Sequence, residues 1–433
     1  MKPGADIKYF ILIEPGLGYI IPVLRERFPD GKIIALHADP ALPGFDVPTF
    51  RGNENIQNFL EREIQNCKAA QIRIIEWRPS LMVYGEAYLK LLSETAGFIK
   101  RIDAGLKTEK AFGGRWYKNF IRNAASVRYA LLYRTMDIPI IYAASGPSLE
   151  DAIPVIREYK DSCFLIAASS AIPALAHNGI NADLIITTDG GNWALRHLHH
   201  CYRDGADNTG IALNLSAALP CQYAETAKLI INDGSLWQSI ILHELDIPSV
   251  IIPQMGTVSA SAAELSLVLT SSNIYIAGMD LAVNDIRSHT RPYGFDEIFW
   301  GISSRFLPYY CQTFIRSKSI QEGGSMDIYA SWFKNHSNSN RVFSIGGGIF
   351  EKANPLIRTT NINKNAFFKT VNVNAEKTDF RKKAVTALFR AFENQQYSGQ
   401  LKSELSALLF SGAENISINE IRNKITELSN GKK

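Results

Sequence analysis

The chain has 433 residues, with 46 Lys or Arg against 42 Asp or Glu, a formal charge of +4. That length is too great for one ordinary core and predicts two or three domains, while the charge is too small and too dispersed to indicate a nucleic-acid partner. Cys67, Cys163, Cys201, Cys221 and Cys311 are scattered without a C-x-x-C pair, which suggests neither zinc nor a disulfide framework and fits reduced thiols in a cytoplasmic protein.

The first predicted element is the run YFILIE at 9–14, a buried strand. It leads through Pro15-Gly16-Leu17-Gly18 to a helix carrying Ile20, Ile21, Val23 and Leu24. Glu14, Pro15 and the two glycines interrupt this apolar start before it reaches membrane-spanning length, so no stable membrane insertion is expected. IIAL at 33–36 completes a βαβ start, with His37 and Asp39 at the end of its second strand. A dinucleotide site follows the same plan. The third glycine is missing and the unit is short, so the reading is a structural Rossmann-like domain. RIIEWRP at 73–79 supplies another strand, and a helix through Tyr88, Leu91 and Leu92 carries this domain to residue 100. Residues 101–136 are expected to be a helical connector. In it Arg115, Trp116, Tyr117, Lys118 and Arg122 read as cations snorkelling along a packed helix rather than as a nucleic-acid stripe.

Residues 137–350 form the predicted core. The strand at 138–143 runs into Ser145-Gly146-Pro147-Ser148 and then a helix with Leu149, Ile153 and Ile156 at helical spacing. Gly146 permits close backbone approach, Pro147 suits a first helical turn and Ser148 offers a hydroxyl. A strand entering a helix through such a turn aims unpaired N–H groups and the positive dipole end at one spot, which suits a phosphate. An ordinary βα turn is the alternative. Strands follow at 163–169, 184–189, 211–215, 229–232, 249–252 and 274–278, with a helix at 258–269. This alternation predicts an α/β fold built on an open parallel sheet. Ligands of such sheets lie beyond the carboxyl ends of the strands. Ser145-Gly146, Ser169-Ser170, Asp189-Gly190-Gly191-Asn192, Gly256-Thr257 and Gly278-Met279-Asp280 all cluster there, which argues for one site assembled from several loops. Residues 351–433 are expected to be a small C-terminal helical segment with Phe380, Ala384, Leu388, Phe389 and Phe392 on one face.

Three carboxylates stand at strand ends. Asp189 and Asp280 follow their strands and are candidates to orient a hydroxyl, hold a metal or act as a base. Asp183 precedes its strand, where a carboxylate often fixes a turn. His289, nine residues beyond Asp280, is a candidate general base, with an exposed loop histidine as the alternative. His336, near Tyr329 and Trp332, is a second candidate. His197, His199 and His200 read as surface residues, because positions 197 and 199 point apart on a helix and no acidic ligand completes a metal set.

The segments "AASGPSLED", "GINADLIITTD", "GTVSASAAELSLVL" and "IAGMDLAVNDIRSHT", spanning 143–290, resemble the motility-associated factor family of flagellin glycosyltransferases and the wider 6-hydroxymethylpterin diphosphokinase MptE-like domain family. "LIEPGLGYIIPVLRERFPDGKIIALHAD" resembles the Rossmann-like domain that precedes that core. The resemblance implies a sialyltransferase-like Rossmann-like core, a smaller N-terminal Rossmann-like domain and C-terminal helices. Gly146, Pro147, Ser148 and Leu149 match the nucleotide-holding turn, with Ala144 where its first glycine usually stands. Asp183 matches an aspartate usually preceded by proline, here Ala182. Asp189 matches the acidic strand end, and Gly256, Thr257 and Val258 match a glycine-led helix start. Asp280, Leu281, Ala282 and His289 match the last segment, with Met279 where glutamine is common.

The implied chemistry is inverting transfer of a nonulosonic, sialic-acid-like sugar from a CMP-activated donor to a Ser or Thr hydroxyl of flagellin. Ser145, Gly146, Pro147, Ser148, Ser169, Asp183, Gly256, Thr257, Gly278 and Met279 would contact the donor, and His289, Asp280 and Asp189 would form the catalytic set. No cofactor beyond the donor and no resident metal is expected. Two alternatives stand beside this reading. One is an ATP-dependent 6-hydroxymethyl-7,8-dihydropterin diphosphokinase with magnesium held by Asp183, Asp189 and Asp280; the other is a non-catalytic flagellar accessory protein. The N-terminal domain and C-terminal helices favour the transferase, since a minimal pterin kinase needs neither.

Overall fold

Alternation along the first strand sets the architecture of the N-terminal part. In β1 (Tyr9–Ile13), Ile11 and Ile13 face one buried cluster with Ile34, Leu36, Phe59, Leu60 and Tyr88, whereas Phe10 and Leu12 face another with Ile21, Leu24 and Ile33. A strand covered on both faces belongs in the middle of a parallel sheet. With β2 (Lys32–Leu36), β3 (Thr49–Phe50) and β4 (Ile72–Glu76) it forms a four-stranded sheet of order β3-β2-β1-β4. Every pair is parallel.

The structure, a computed structural model, describes residues 7–42, 44–64, 67–191, 194–203, 209–253, 256–284, 286–322, 333, 340–355, 362–373, 380–410 and 416–430. It divides into two units, Met1–Ala111 with Ser406–Glu414 and Phe112–Leu405 with Asn415–Lys433. The 41-residue helix Glu86–Ser126 begins in the first and ends in the second. The expected connector at 101–136 is therefore the last part of this helix, and residues 129–133 form a strand instead.

The second unit carries a ten-stranded sheet. Its strands are β5 (Tyr129–Tyr133), β6 (Ile140–Ala143), β7 (Phe164–Ala168), β8 (Leu184–Thr187), β9 (Gly210–Asn214), β10 (Lys228–Asn232), β11 (Val250–Ile251), β12 (Ile274–Ala277), β13 (Val342–Ile345) and β14 (Phe368–Asn372). Their order is β13-β12-β6-β7-β8-β9-β10-β5-β14, with β11 also on β10. All pairs are parallel except β14 on β5. Every residue of β6, β7, β8 and β12 is buried, as the continuous apolar runs predicted. The fold is the expected Rossmann-like α/β type. The chain lays β7, β8, β9 and β10 on one side of β6 and returns to place β12 on the other, so the topology switches between β6 and β12. Open α/β sheets bind ligands at such a crevice.

The C-terminal segment is not purely helical, because β14 precedes its helices. Helix Phe380–Glu393 buries Ala384, Ala387, Leu388, Ala391 and Phe392. Glu404 accepts from the amides of Leu236 and Trp237 at 3.2 Å each, capping helix Leu236–Glu244. No helix among the described residues is long and apolar enough to cross a membrane.

Candidate active site at the sheet switch point

Because Ala143 of β6 is in register with Ala277 of β12, the loops after the two strands leave side by side. The amide of Ala144 donates to the Ala277 carbonyl at 2.8 Å and that of Gly146 to the Gly278 carbonyl at 2.7 Å. The Ser148 amide donates to Asp280 Oδ2 at 3.0 Å. Inside the turn, the Leu149 and Glu150 amides donate to the carbonyls of Gly146 and Pro147. Five amides around the turn are thus occupied by protein acceptors, and a carboxylate stands at the helix entrance. Of the N–H groups expected to serve as donors at Ser145–Ser148, those of Gly146 and Ser148 are thus engaged within the protein. Asp280 is the acceptor that closes the helix N-terminus, a favourable place for a negative charge. The need for Gly146 follows directly, since a Cβ there would lie 2.3 Å from Asp280 Oδ2 and 2.4 Å from the Gly278 carbonyl oxygen.

The same turn anchors the next segment. The Thr290 amide donates to the Ser145 carbonyl at 2.8 Å, and Ser170 Oγ donates to Ser145 Oγ at 2.8 Å. His289 is thereby tied to the turn through its chain neighbour. Its ring stacks on Tyr293 at 4.2 Å between centroids and 20° between planes, and its Nδ1 lies 2.9 Å from Ser288 Oγ. His289 is half-buried rather than freely exposed. Burial lowers its pKa to about 3, with the positive charge of Arg316 and the neighbouring His197 acting in the same direction. The imidazole is therefore neutral at physiological pH.

A pocket opens beside His289, lined also by Arg287, Arg291, Tyr293, Asp296, Tyr309 and Arg316. Burial pushes the Tyr293 hydroxyl up to about 12 against the opposing charge of Arg316. Asp189 acts on the same hydroxyl through space, so the structure gathers Asp189, His289 and the Ser145–Ser148 turn around one region. The Asp189 side chain is exposed and accepts from the Gly191 amide at 2.7 Å. None of Arg291, Tyr293, Tyr309 and Arg316 stands in a recognisable motif.

Of the other expected site residues, Asp183 falls elsewhere. Asp183 precedes β8 while Asp189 follows it, so the two stand at opposite ends of a buried strand, on the order of 20 Å apart at about 3.3 Å per residue. Asp183 accepts from the Leu165 amide and from Lys364 Nζ, both at 2.7 Å. Burial raises its pKa, with Lys364 opposing. It fastens the start of β8 to β7 and to Lys364, at the end of the strand opposite Asp189. Thr257 caps helix Val258–Leu269 by accepting from the Ala260 amide at 3.1 Å, and Gly256 precedes it. Ser169 and Met279 are buried.

His197 is also corrected. It is buried, 4.7 Å from Phe295 and 5.2 Å from Tyr293 between ring centroids, and is no surface residue. His199 is exposed, and the side chain of His200, like His336, Tyr329, Trp332 and Asn192, lies outside the described residues. Among the described residues no group of three His, Cys, Asp or Glu side chains is placed to hold a metal. The helix end that carries Arg115, Lys118 and Arg122 also presents two asparagines. Asn119 Nδ2 donates to the carbonyls of Gly190 and Ser216, and Asn123 Nδ2 to those of Leu215 and Ala217, at 2.7–3.2 Å. These amides lock the loops after β8 and β9.

Residues 115–285, which carry the turn, Asp189 and Asp280, match the family described as 6-hydroxymethylpterin diphosphokinase MptE-like. This part of the chain resembles the MptE-like domain. Two curated proteins of Treponema pallidum (strain Nichols), both described as uncharacterized, are similar to the chain. One is 25% identical over 281 residues, covering 64% of this chain and 60% of the relative. The other is 30% identical over 107 residues, covering 23% of this chain and 49% of the relative. The chain thus spans about half to three-fifths of the length of these relatives. Among solved structures, the Maf glycosyltransferase of Magnetospirillum magneticum AMB-1 has a similar fold, with a TM-score of 0.51 at 14% identity over 97% of this chain and 73% of that one. The chain therefore shares its fold with a Maf glycosyltransferase.

Proposed function

We propose that the chain transfers a nonulosonic, sialic-acid-like sugar from a CMP-activated donor to a Ser or Thr hydroxyl of flagellin, with inversion, in the cytoplasm. The observation that carries this reading is a neutral histidine tied to the switch-point turn and facing a basic pocket, in a fold shared with a Maf glycosyltransferase. In the proposed step the acceptor oxygen attacks the anomeric carbon as the bond from that carbon to the phosphate oxygen breaks. CMP leaves with the electron pair. When His289 donates its Nδ1–H to Ser288 Oγ, Nε2 holds the lone pair that takes the acceptor proton. An imidazole held near 3 is a weak base. An anion offsetting Arg316 would strengthen it.

The diphosphokinase alternative draws on Asp183, Asp189 and Asp280 to hold magnesium, and these residues do not fit that role. Asp183 stands at the other end of β8 and is paired with Lys364, while Asp280 is engaged at the helix N-terminus. The deciding experiment measures CMP release from a CMP-activated sugar in the presence of flagellin, with mass spectrometry of flagellin from cells lacking the gene. Flagellin of unchanged mass in those cells, together with no CMP binding by the protein, defeats the proposal.

A further inference from the structure

Three arginines line the pocket beside His289, and their charges are balanced unequally. Arg287 is paired with Glu150 at 2.8 Å. Asp296 is engaged by the Tyr309 hydroxyl at 2.6 Å and the Tyr293 amide at 2.8 Å. Neither Arg291 nor Arg316 has a carboxylate partner among the described residues. Their guanidinium groups are instead held by aromatic rings. That of Arg316 lies 5.9 Å from the Tyr293 centroid, 5.4 Å from Phe295 and 5.5 Å from Phe299, and that of Arg291 lies 5.1 Å from Tyr309. Aromatic faces fix the plane of a guanidinium and limit its rotamers, and the hydrogen bond that Arg316 makes is to the neutral Tyr293 hydroxyl, so none of these groups supplies counter-charge. Two planar donor forks, pre-oriented and lacking counter-charge, thus border one cavity.

We infer that Arg316 and Arg291 form an oxyanion-binding subsite that receives an anionic group of the substrate, either a carboxylate or a phosphate. The identity of the substrate rests on the transferase reading; the subsite itself does not. A bidentate arginine fork matches the two oxygens of either group. The acidic sugar and the nucleotide phosphate are the two sources that the proposed donor offers. Occupancy also has a consequence for the neighbouring base. The charge of Arg316 is one of the influences that depress His289, so a bound anion raises the proton affinity of the imidazole when substrate is present.

The test is calorimetric titration of the full chain with N-acetylneuraminate, inorganic phosphate, CMP and cytidine, for the wild type and for Arg316→Gln, Arg316→Lys and Arg291→Gln. Arg291 is exposed, so its variant keeps the experiment readable if loss of the ring contacts unfolds Arg316→Gln. The glutamine variants are expected to lose about 10- to 100-fold in affinity for an anion and nothing for cytidine. A loss confined to N-acetylneuraminate assigns the subsite to the sugar carboxylate, and a loss for phosphate and CMP assigns it to the nucleotide. Anion affinities independent of both arginines, or no anion binding by the wild type, overturn the subsite. Arginine-dependent anion binding without any affinity for CMP or cytidine supports the subsite and overturns the transferase reading instead.

Discussion

Replacing Gly146 with alanine forces the loop after β6 away from the loop after β12. The new methyl group would stand 2.3 Å from a carboxylate oxygen and 2.4 Å from a backbone carbonyl, and the carbonyl cannot swing aside as a side chain can. Separating the loops weakens the Gly146 to Gly278 bond, worth about 0.5–1.5 kcal/mol, and the charge-assisted Ser148 to Asp280 bond, worth about 1.5–3 kcal/mol. With about 1–3 kcal/mol of overpacking, the loss is about 3–7 kcal/mol, a large part of the roughly 5–15 kcal/mol that holds a domain together. Hydrogen exchange read by mass spectrometry over 140–160 and 274–280 measures it locally, which suits a chain of two units. Exchange there is expected to accelerate by about two to five powers of ten. Gly105→Ala, where a Cβ meets nothing within 4 Å, serves as the control and leaves it unchanged. Unaltered exchange in Gly146→Ala would show that the two loops are not pressed together.

His289→Ala is expected to lower sugar transfer by about two to four powers of ten while leaving donor affinity nearly unchanged, and near-wild-type turnover in the folded variant removes His289 from the reaction. Burial lowers the Lys228 ammonium from 10.5 to about 8 although its protons reach the carbonyls of Tyr223, Ala224 and Thr226. Between these values the unfolded chain holds the additional proton, so this group's contribution to stability rises as pH increases from about 8 to 10.5. Lys228→Met should abolish that rise in a series of melting temperatures; an unchanged slope contradicts the assignment. In the N-terminal unit, the fully buried Glu14 accepts from the Ala38 amide and lies 3.1 Å from His37 Nδ1. Glu14→Leu alone should cost about 3–5 kcal/mol, and Glu14→Leu with His37→Leu should cost less, because removing both polar partners strands neither. A double variant less stable than the single one, by urea denaturation of this unit, would refute that account.

What was readable in the sequence follows from burial. Strands buried on both faces leave apolar runs that nothing else in the chain imitates, and β6, β7, β8 and β12 appeared within one or two residues of their bounds. Strands β3, β13 and β14 left no such run, and the run YALLY of β5 falls within the expected helical connector. Two residues make β3, while β5 and β14 lie toward a sheet edge and carry exposed positions such as Tyr129 and Lys369. The site divides the same way. Small residues after strands mark where loops gather, but the capture of the turn's amides by Asp280 and the Gly278 carbonyl depends on β6 and β12 being neighbours, which no local pattern encodes. Arg316 sits in an ordinary helical stretch and acquires its aromatic surroundings only on folding. His197 was misread for the same reason, since helical spacing says nothing about what packs against it. The local reading of Asp183 as a residue that fixes a turn before its strand agrees better with its pairing to Lys364 than the donor role taken from resemblance.

The antiparallel pairing of β14 with β5 imposes an order in time. During synthesis β5 emerges about 240 residues before its partner, which at about 5–20 residues per second means roughly 12–48 seconds. Throughout that interval one side of β5 offers unpaired amides and carbonyls, together with Tyr129, Leu132 and Tyr133, to any other nascent strand. A fragment ending at residue 355 would never close that edge. Its solubility should depend on chain concentration and recover when residues 362–373 are supplied on the same chain.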